Sequence, residues 1–245
     1  MGHNLYGVTA SETAHPHYYY KDCSRCGEHV PIGGSGTRLH GDGTGGTCTD
    51  CPMTFASLLA YKETREDGTI IERNSYFDEV SNYYSSYGSI YTNFYESYTK
   101  SDMKRRMQAS KLFYIHTHGN YDAFLLSPTV ILTREDLSGV DLSEMSLILL
   151  LTCKGGYGGY SPTRTYDSNI VERLVSCGVE TVIGFSENTQ VSNCNNFAKR
   201  FSFFVIQDYP IEVIMSSLMR QGDMLEMLEI AVIGGNENLQ ISDIY

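Results

Sequence analysis

Two residues stand where chemistry could be done, and both follow apolar runs. In LFYIHTHGNYD, residues 112–122, Leu, Phe, Tyr and Ile lead into His116, Thr117, His118 and Gly119. Thirty-five positions after His118, the run LILLLTCKGG ends its apolar part on Cys153. A thiol and an imidazole at one edge suit a nucleophile and its general base. The imidazole withdraws the thiol proton and later protonates a leaving amine. Gly119 lets the backbone approach a substrate carbonyl closely. Its N–H and that of Cys153 suit the two donors of an oxyanion hole. A lone Cys after a strand is more often a core residue, so the pair matters only if the fold unites it.

The flanking elements make that union plausible on sequence grounds. KLFYIHT and SLILLLT are apolar throughout, as strands of a parallel sheet buried on both faces are. VETVIGF reads as a third strand and EIAVIGG as a last one. Between them stand helical patterns: SDMKRRMQA opened by Ser101 or Asp102, DSNIVERLVSCG capped by Asp or Ser and closed by Gly178, and VSNCNNFAKRFSFFVI. A further helix follows Pro210. FASLLAYKETREDGTIIERN reads as a strand, a turn and a second strand, YDAFLL with TVIL as a hairpin, and TREDL as a helical turn capped by Thr133. Val80, Tyr84, Tyr87, Tyr91, Tyr95 and Tyr98 recur at helical spacing and predict one helix, packed by its rings with hydroxyls at the rim. Strands alternating with helices give an α/β fold around a largely parallel sheet. In such sheets sites form beyond the carboxyl ends of the strands, where His118 and Cys153 stand. KGGYGGY after Cys153 is expected to be flexible enough to shape a pocket. His116 shares a strand face with His118. An H-x-H pair also suits a metal, but no convincing further ligands stand downstream, so His116 is taken as a hydrogen-bonded interior residue.

The formal net charge of -11 over 245 residues repels phosphate backbones, so no nucleic-acid partner is expected. No run approaches the roughly 20 apolar residues of a membrane span, so no membrane partner is expected either. The start has neither a basic nor an apolar signal region, which makes a cytoplasmic place the expectation and a removed signal peptide the alternative. Residues 1–52 form a Gly- and Cys-rich N-terminal segment, and residues 53–245 the main domain. Cys23, Cys26, Cys48 and Cys51 stand as C-x2-C, 21 residues, C-x2-C. Each pair can grip one side of a tetrahedral Zn2+, which would be structural because four thiolates leave no open position. Two disulfides are the alternative in an exported protein.

The strand ending HTHG, then ILTREDLSGVDLSEMSLILLLTC, SNIVERLVSCGVETVIGF, NTQVSNCNNFAKRFSFFVI and the late GGNENLQI follow one another in order over roughly residues 100–241. This series resembles the CHAT domains of the caspase-like cysteine peptidases, the group that also holds caspases, separases and gingipains. The resemblance implies a caspase-like sandwich: a largely parallel central sheet flanked by helices, with the small N-terminal cysteine knuckle appended. It implies His118 as catalytic base, Cys153 as nucleophile and Gly119 as the family's glycine. The chain departs from that family with Lys154-Gly155-Gly156 after the Cys and with no Trp near Glu187.

The function expected is therefore a cysteine endopeptidase acting on protein or peptide substrates, with an activating protein partner in prospect. Caspase-like peptidases often select a charged or polar residue before the scissile bond. The hairpin carrying Glu63, Glu66 and Asp67 lies about where relatives carry a pocket residue. A basic residue is thus expected in that pocket, with Asp67 or Glu187 lining it, against the plainer reading of both as solvated acids. The alternative is a catalytically silent scaffold whose knuckle binds a partner. A metal hydrolase using His116 and His118 is a third class.

Overall fold

The computed structural model describes residues 5–10, 18–23, 29–34, 53–94, 98–163, 167–220 and 224–244. Three strands occupy the N-terminal segment: β1 (Leu5–Ala10), β2 (Tyr18–Cys23) and β3 (His29–Gly34), paired antiparallel in that order. The glycine content and lack of apolar periodicity gave no sign of this sheet.

β4 (Thr54–Ala60) begins the main sheet, and every residue from Phe55 to Ala60 is buried. The chain then turns through the hairpin of β5 (Lys62–Thr64) and β6 (Ile70–Glu72), as the Glu-Asp-Gly signal predicted. α1 spans Phe77–Tyr84, and the tyrosine stripe does not continue it. Gly88 marks the reason: a Cβ there would come within 2.8 Å of the Phe55 Cβ, so the chain passes hard against β4 and extends as β7 (Ile90–Phe94). Helical spacing was thus shared by two elements, with Val80 and Tyr84 in the core and Tyr91 on a strand; Tyr95 lies outside the described residues. α2 (Lys100–Gln108) opens at Thr99, not at Ser101 or Asp102. Asp102 instead closes a capping box, its carboxylate accepting the Thr99 N–H at 3.1 Å while Thr99 Oγ1 accepts the Asp102 N–H at 3.1 Å.

β8 (Ser110–His116) follows, then the hairpin of β9 (Ala123–Leu125) and β10 (Ile131–Thr133) and a 3-10 turn at Glu135–Leu137. β11 (Leu147–Leu151), α3 (Ile170–Ser176) and β12 (Thr181–Phe185) form a strand–helix–strand unit. Asn169 caps α3 in place of the expected Asp or Ser. α4 (Val191–Val205), α5 (Ile211–Arg220), α6 (Leu225–Glu229), β13 (Ala231–Gly235) and α7 (Ile241–Ile244) complete the chain.

The six-stranded sheet runs β13-β12-β11-β8-β4-β7. Neighbours are parallel except β13, which pairs antiparallel with β12. Side chains alternate between the two faces, and both faces are covered. Tyr114, Leu147, Leu149 and Leu151 pack in one core with residues of α1, α4, α5 and α6. Phe113, Ile115, Ile148 and Leu150 pack in the other with Met103 and Met107 of α2 and Leu174 of α3. This double burial is why LFYI and LILLL carry no polar position. The result is the three-layer sandwich with a largely parallel sheet that the sequence implied.

Candidate active site

β8 and β11 are neighbours, and their register places His116 opposite Leu151. His118 and Cys153 each stand two residues beyond that pair, at the carboxyl edge of strands about 4.8 Å apart. The edge is where an open α/β sheet builds its sites.

The H-x-H pair grips one residue, Arg73, which follows β6. His116 is buried, and its Nδ1 donates to the Arg73 carbonyl at 2.9 Å. Burial, then the Arg73 charge, pushes its pKa down to about 3, so the ring is neutral at physiological pH. His118 projects outward with about half of its side chain exposed, 48%. Its Nε2 lies 2.8 Å from Arg73 Nη2 and 3.2 Å from Glu63 Oε2. Arg73 Nη2 also lies 3.5 Å from Glu63 Oε2. The Arg73 side chain is itself only 6% exposed, and its Nη1 has no hydrogen-bond partner among the described residues. The side-chain contact with His118, more than the neighbouring charges, holds the Glu63 carboxyl below its usual range. Tyr61 closes this cluster, its ring in a T-shaped pair with His118 at 5.7 Å between centroids and under the Arg73 guanidinium at 5.6 Å.

Cys153 is half-buried on the turn after β11. Thr189, in the loop before α4, wraps its sulfur: the Thr189 N–H points at Sγ from 3.5 Å, and its carbonyl and Oγ1 lie at 3.8 and 3.9 Å. α4 begins two residues later at Val191, and Gln190 supplies no side-chain cap to its first turn. The positive end of that helix therefore lies close to the sulfur in the chain. Lys154 turns the backbone with φ 56°, a left-handed conformation that costs a non-glycine residue about 1–2 kcal/mol. The turn is held by the Lys154 N–H on the Glu187 carbonyl at 3.0 Å and the Gly156 N–H on Phe185 at 2.9 Å. The expectation of a flexible KGGYGGY loop is corrected here. Gly155 and Gly156 are buried, and a Cβ on Gly156 would meet the Val232 Cβ at 2.7 Å. These two glycines serve close packing, Gly156 against β13 and Gly155 against Leu150, Thr152 and Ile170, not mobility.

Gly119 sits between the two loops, where an added Cβ would come within 3.0 Å of Thr152 Cβ. It bridges Phe124, but the bridge bonds are given by Asn120 and Leu125, which leaves Gly119's own N–H outside them. Neither Gly119 nor Cys153 donates its backbone N–H to any partner among the described residues. No hydrogen bond joins His118 to Cys153 among the described residues either.

The other expected site residues fall as follows. Glu187 is exposed on the loop that wraps Cys153, and its carbonyl rather than its carboxylate shapes the site. Asp67 is an exposed turn residue whose carboxylate accepts the Thr69 N–H at 2.8 Å. With Glu63, Thr64, Arg65 and Glu66 it lines an open cleft of about 490 Å³ on the hairpin. Of these, Glu63 alone reaches His118. Cys26, Cys48 and Cys51 lie outside the described residues, as does the side chain of Cys23 at the end of β2. Three site residues escaped the sequence reading: Arg73, Thr189 and Tyr61. His116 was the one available sign of Arg73.

Solved proteinases share this architecture. Gingipain R, an Arg-specific cysteine proteinase, matches with a TM-score of 0.60 and 13% identity, over 77% of this chain and 47% of its own. The complex of its pro- and mature domains, from Porphyromonas gingivalis, matches at 0.56 and 15% identity, over 77% and 48%. The fold is that of a caspase-like cysteine proteinase. A third structure, described only as a protease, matches at 0.53 and 12% identity, over 78% and 49%. The chain thus spans about half the length of the proteinases it matches. No family model and no curated protein matches the sequence. No helix among the described residues is long and apolar enough to cross a membrane.

Proposed function

We propose that the chain is a cysteine endopeptidase of the CHAT type, with Cys153 as nucleophile and His118 as general base. The observation that carries this is the register of β8 on β11, which sets the two residues at adjacent strand ends. Glu63 and Arg73 occupy Nε2 of His118, so Nδ1 is the nitrogen left to take the thiol proton, which it does in the tautomer that carries its own proton on Nε2. The thiolate then adds to the scissile carbonyl carbon, and the N–H groups of Gly119 and Cys153 receive the oxygen that gains the charge. His118 returns its proton to the leaving amine as the C–N bond breaks. Water, deprotonated by His118, releases the acyl group and restores the thiol. The Thr189 N–H at 3.5 Å and the start of α4 support the thiolate meanwhile.

The hairpin cleft lined by Glu63, Glu66 and Asp67 supports a basic residue before the scissile bond, with Asp67 and, from the separate loop beside Cys153, Glu187 as the acids it would meet. Residues 53–245 would form the catalytic unit, and residues 1–52 an appended segment held by a structural Zn2+ on Cys23, Cys26, Cys48 and Cys51. Protein or peptide substrates and an activating protein partner follow from the same reading, in a cytoplasmic setting. The silent-scaffold reading draws on one observation, the missing hydrogen bond between His118 and Cys153. A thiol-reactive peptide probe separates the two. Labelling at Cys153 that is lost in His118→Ala is expected of the enzyme; labelling unchanged by His118→Ala would refute the dyad.

A further inference from the structure

Nε2 of His118 faces two partners that ask opposite things of it. Arg73 Nη2, at 2.8 Å, can only donate, because a guanidinium has no acceptor and keeps its proton. Glu63 Oε2, at 3.2 Å, can only accept, because its carboxyl is ionised. One nitrogen cannot satisfy both. If Nε2 is bare it accepts from Arg73, and the ring proton sits on Nδ1. If Nε2 carries the proton it donates to Glu63, and Nδ1 is bare.

We infer that Arg73 is a positioning residue that competes with Glu63 for Nε2 and thereby sets which nitrogen of His118 carries the proton. The inference rests on reading His118 as the general base. With Arg73 bonded, Nδ1 is protonated and cannot take the Cys153 proton: the base is parked. With Glu63 bonded, Nδ1 is bare and the base is armed. The shorter distance belongs to Arg73, so the structure holds the parked form.

Three features make Arg73 fit for this role. Its backbone is pinned by the carbonyl that accepts from His116, so the side chain swings from a fixed root. Its Nη2 contacts Glu63 as well as His118, so leaving His118 does not strand the charge. Its Nη1 has no acceptor among the described residues, so Nη2 alone carries both contacts and the other arm does not lock the guanidinium in place. The remaining groups facing His118 do not decide the matter. Tyr61 meets His118 as a T-shaped ring pair at 5.7 Å between centroids, and His116 Nδ1 is spent on the Arg73 carbonyl. No hydrogen bond ties Cys153 to the ring among the described residues.

The test is long-range proton–nitrogen NMR of the full chain labelled with 15N-histidine, at a pH where imidazole is neutral. His118→Gln identifies the signal. The expected result is His118 protonated on Nδ1 in the wild type and in Arg73→Lys, and on Nε2 in Arg73→Met. Glu63→Gln should leave the proton on Nδ1. A wild-type signal showing Nε2–H would overturn the inference, and that spectrum decides even if Arg73→Met does not fold. An Arg73→Met signal still showing Nδ1–H would overturn it equally. In the peptidase assay, Arg73→Met should raise kcat severalfold with KM unchanged, and a kcat lowered in a folded variant would refute the parking. The spectra read the tautomer whether or not turnover is found, so failure of this inference and failure of the peptidase reading are separate results.

Discussion

Acid should destabilise this protein through His116 in a way that one substitution removes. The ring is 2% exposed and held neutral, with its pKa pushed down to about 3 against an ordinary value of 6.5. The sign follows from proton counting. Between pH 6.5 and 3 the unfolded chain binds a proton at this position and the folded chain does not. Stability is therefore full above pH 6.5 and falls as the pH is lowered towards 3. Each pH unit inside that window removes about 1.4 kcal/mol. Between pH 7 and pH 5 the loss from this one group is about 2 kcal/mol. His116→Gln keeps an N–H for the Arg73 carbonyl and has nothing to titrate. Urea unfolding at the two pH values, followed by circular dichroism because the chain has no Trp, measures the difference. The wild type should lose about 2 kcal/mol more than His116→Gln over that interval. Equal losses in the two proteins would refute the placement of a neutral His116 in the interior.

Three further outcomes are expected. Gly156→Ala puts a Cβ 2.7 Å from the Val232 Cβ and should shift the Cys153 turn, abolishing probe labelling and destabilising the fold by about 1–3 kcal/mol in urea titration. Tyr114→Phe removes a buried hydroxyl bonded to Tyr84 at 2.6 Å and to Ser202 at 2.9 Å; a loss of about 1–3 kcal/mol with the site intact should be read from unfolding and labelling together. Elemental analysis of the reduced, purified chain should find stoichiometric zinc that disappears in Cys23→Ser with Cys48→Ser, and its absence from the wild type would remove the metal from the proposal.

The parts legible in the sequence were those governed by one dominant physical signal. Continuous apolar runs such as LILLL announced strands buried on both faces, and their polar ends announced the edge where His118 and Cys153 stand. Gly178, with φ 103°, ended α3 where the pattern placed it. What escaped was set by long-range packing. The tyrosine spacing fitted a helix, but the close approach of Gly88 to Phe55 broke it into a helix and a strand. Gly155 and Gly156 looked like loop residues because a sequence does not reveal the Leu150, Ile170 and Val232 side chains that fill the space of a Cβ. Arg73 was invisible for the same reason. It lies 45 positions before His118, and only the folded hairpin carries it there. Caps were missed by a residue or two, Thr99 for Ser101 and Asn169 for Asp or Ser, because several cap-forming residues stand together at each helix start. The first histidine of H-x-H, His116, is itself a sign of a partner. A buried imidazole needs an acceptor, and that acceptor was the backbone of the arginine that addresses the base.

The central claim is that Cys153 and His118 act together on peptide bonds. The most direct measurement is turnover of a fluorogenic peptide library by the wild type, Cys153→Ala and His118→Ala under reducing conditions with zinc retained. The expected result is cleavage by the wild type, favouring a basic residue before the scissile bond, and loss of cleavage in both variants. Cleavage that survives Cys153→Ala would contradict the account.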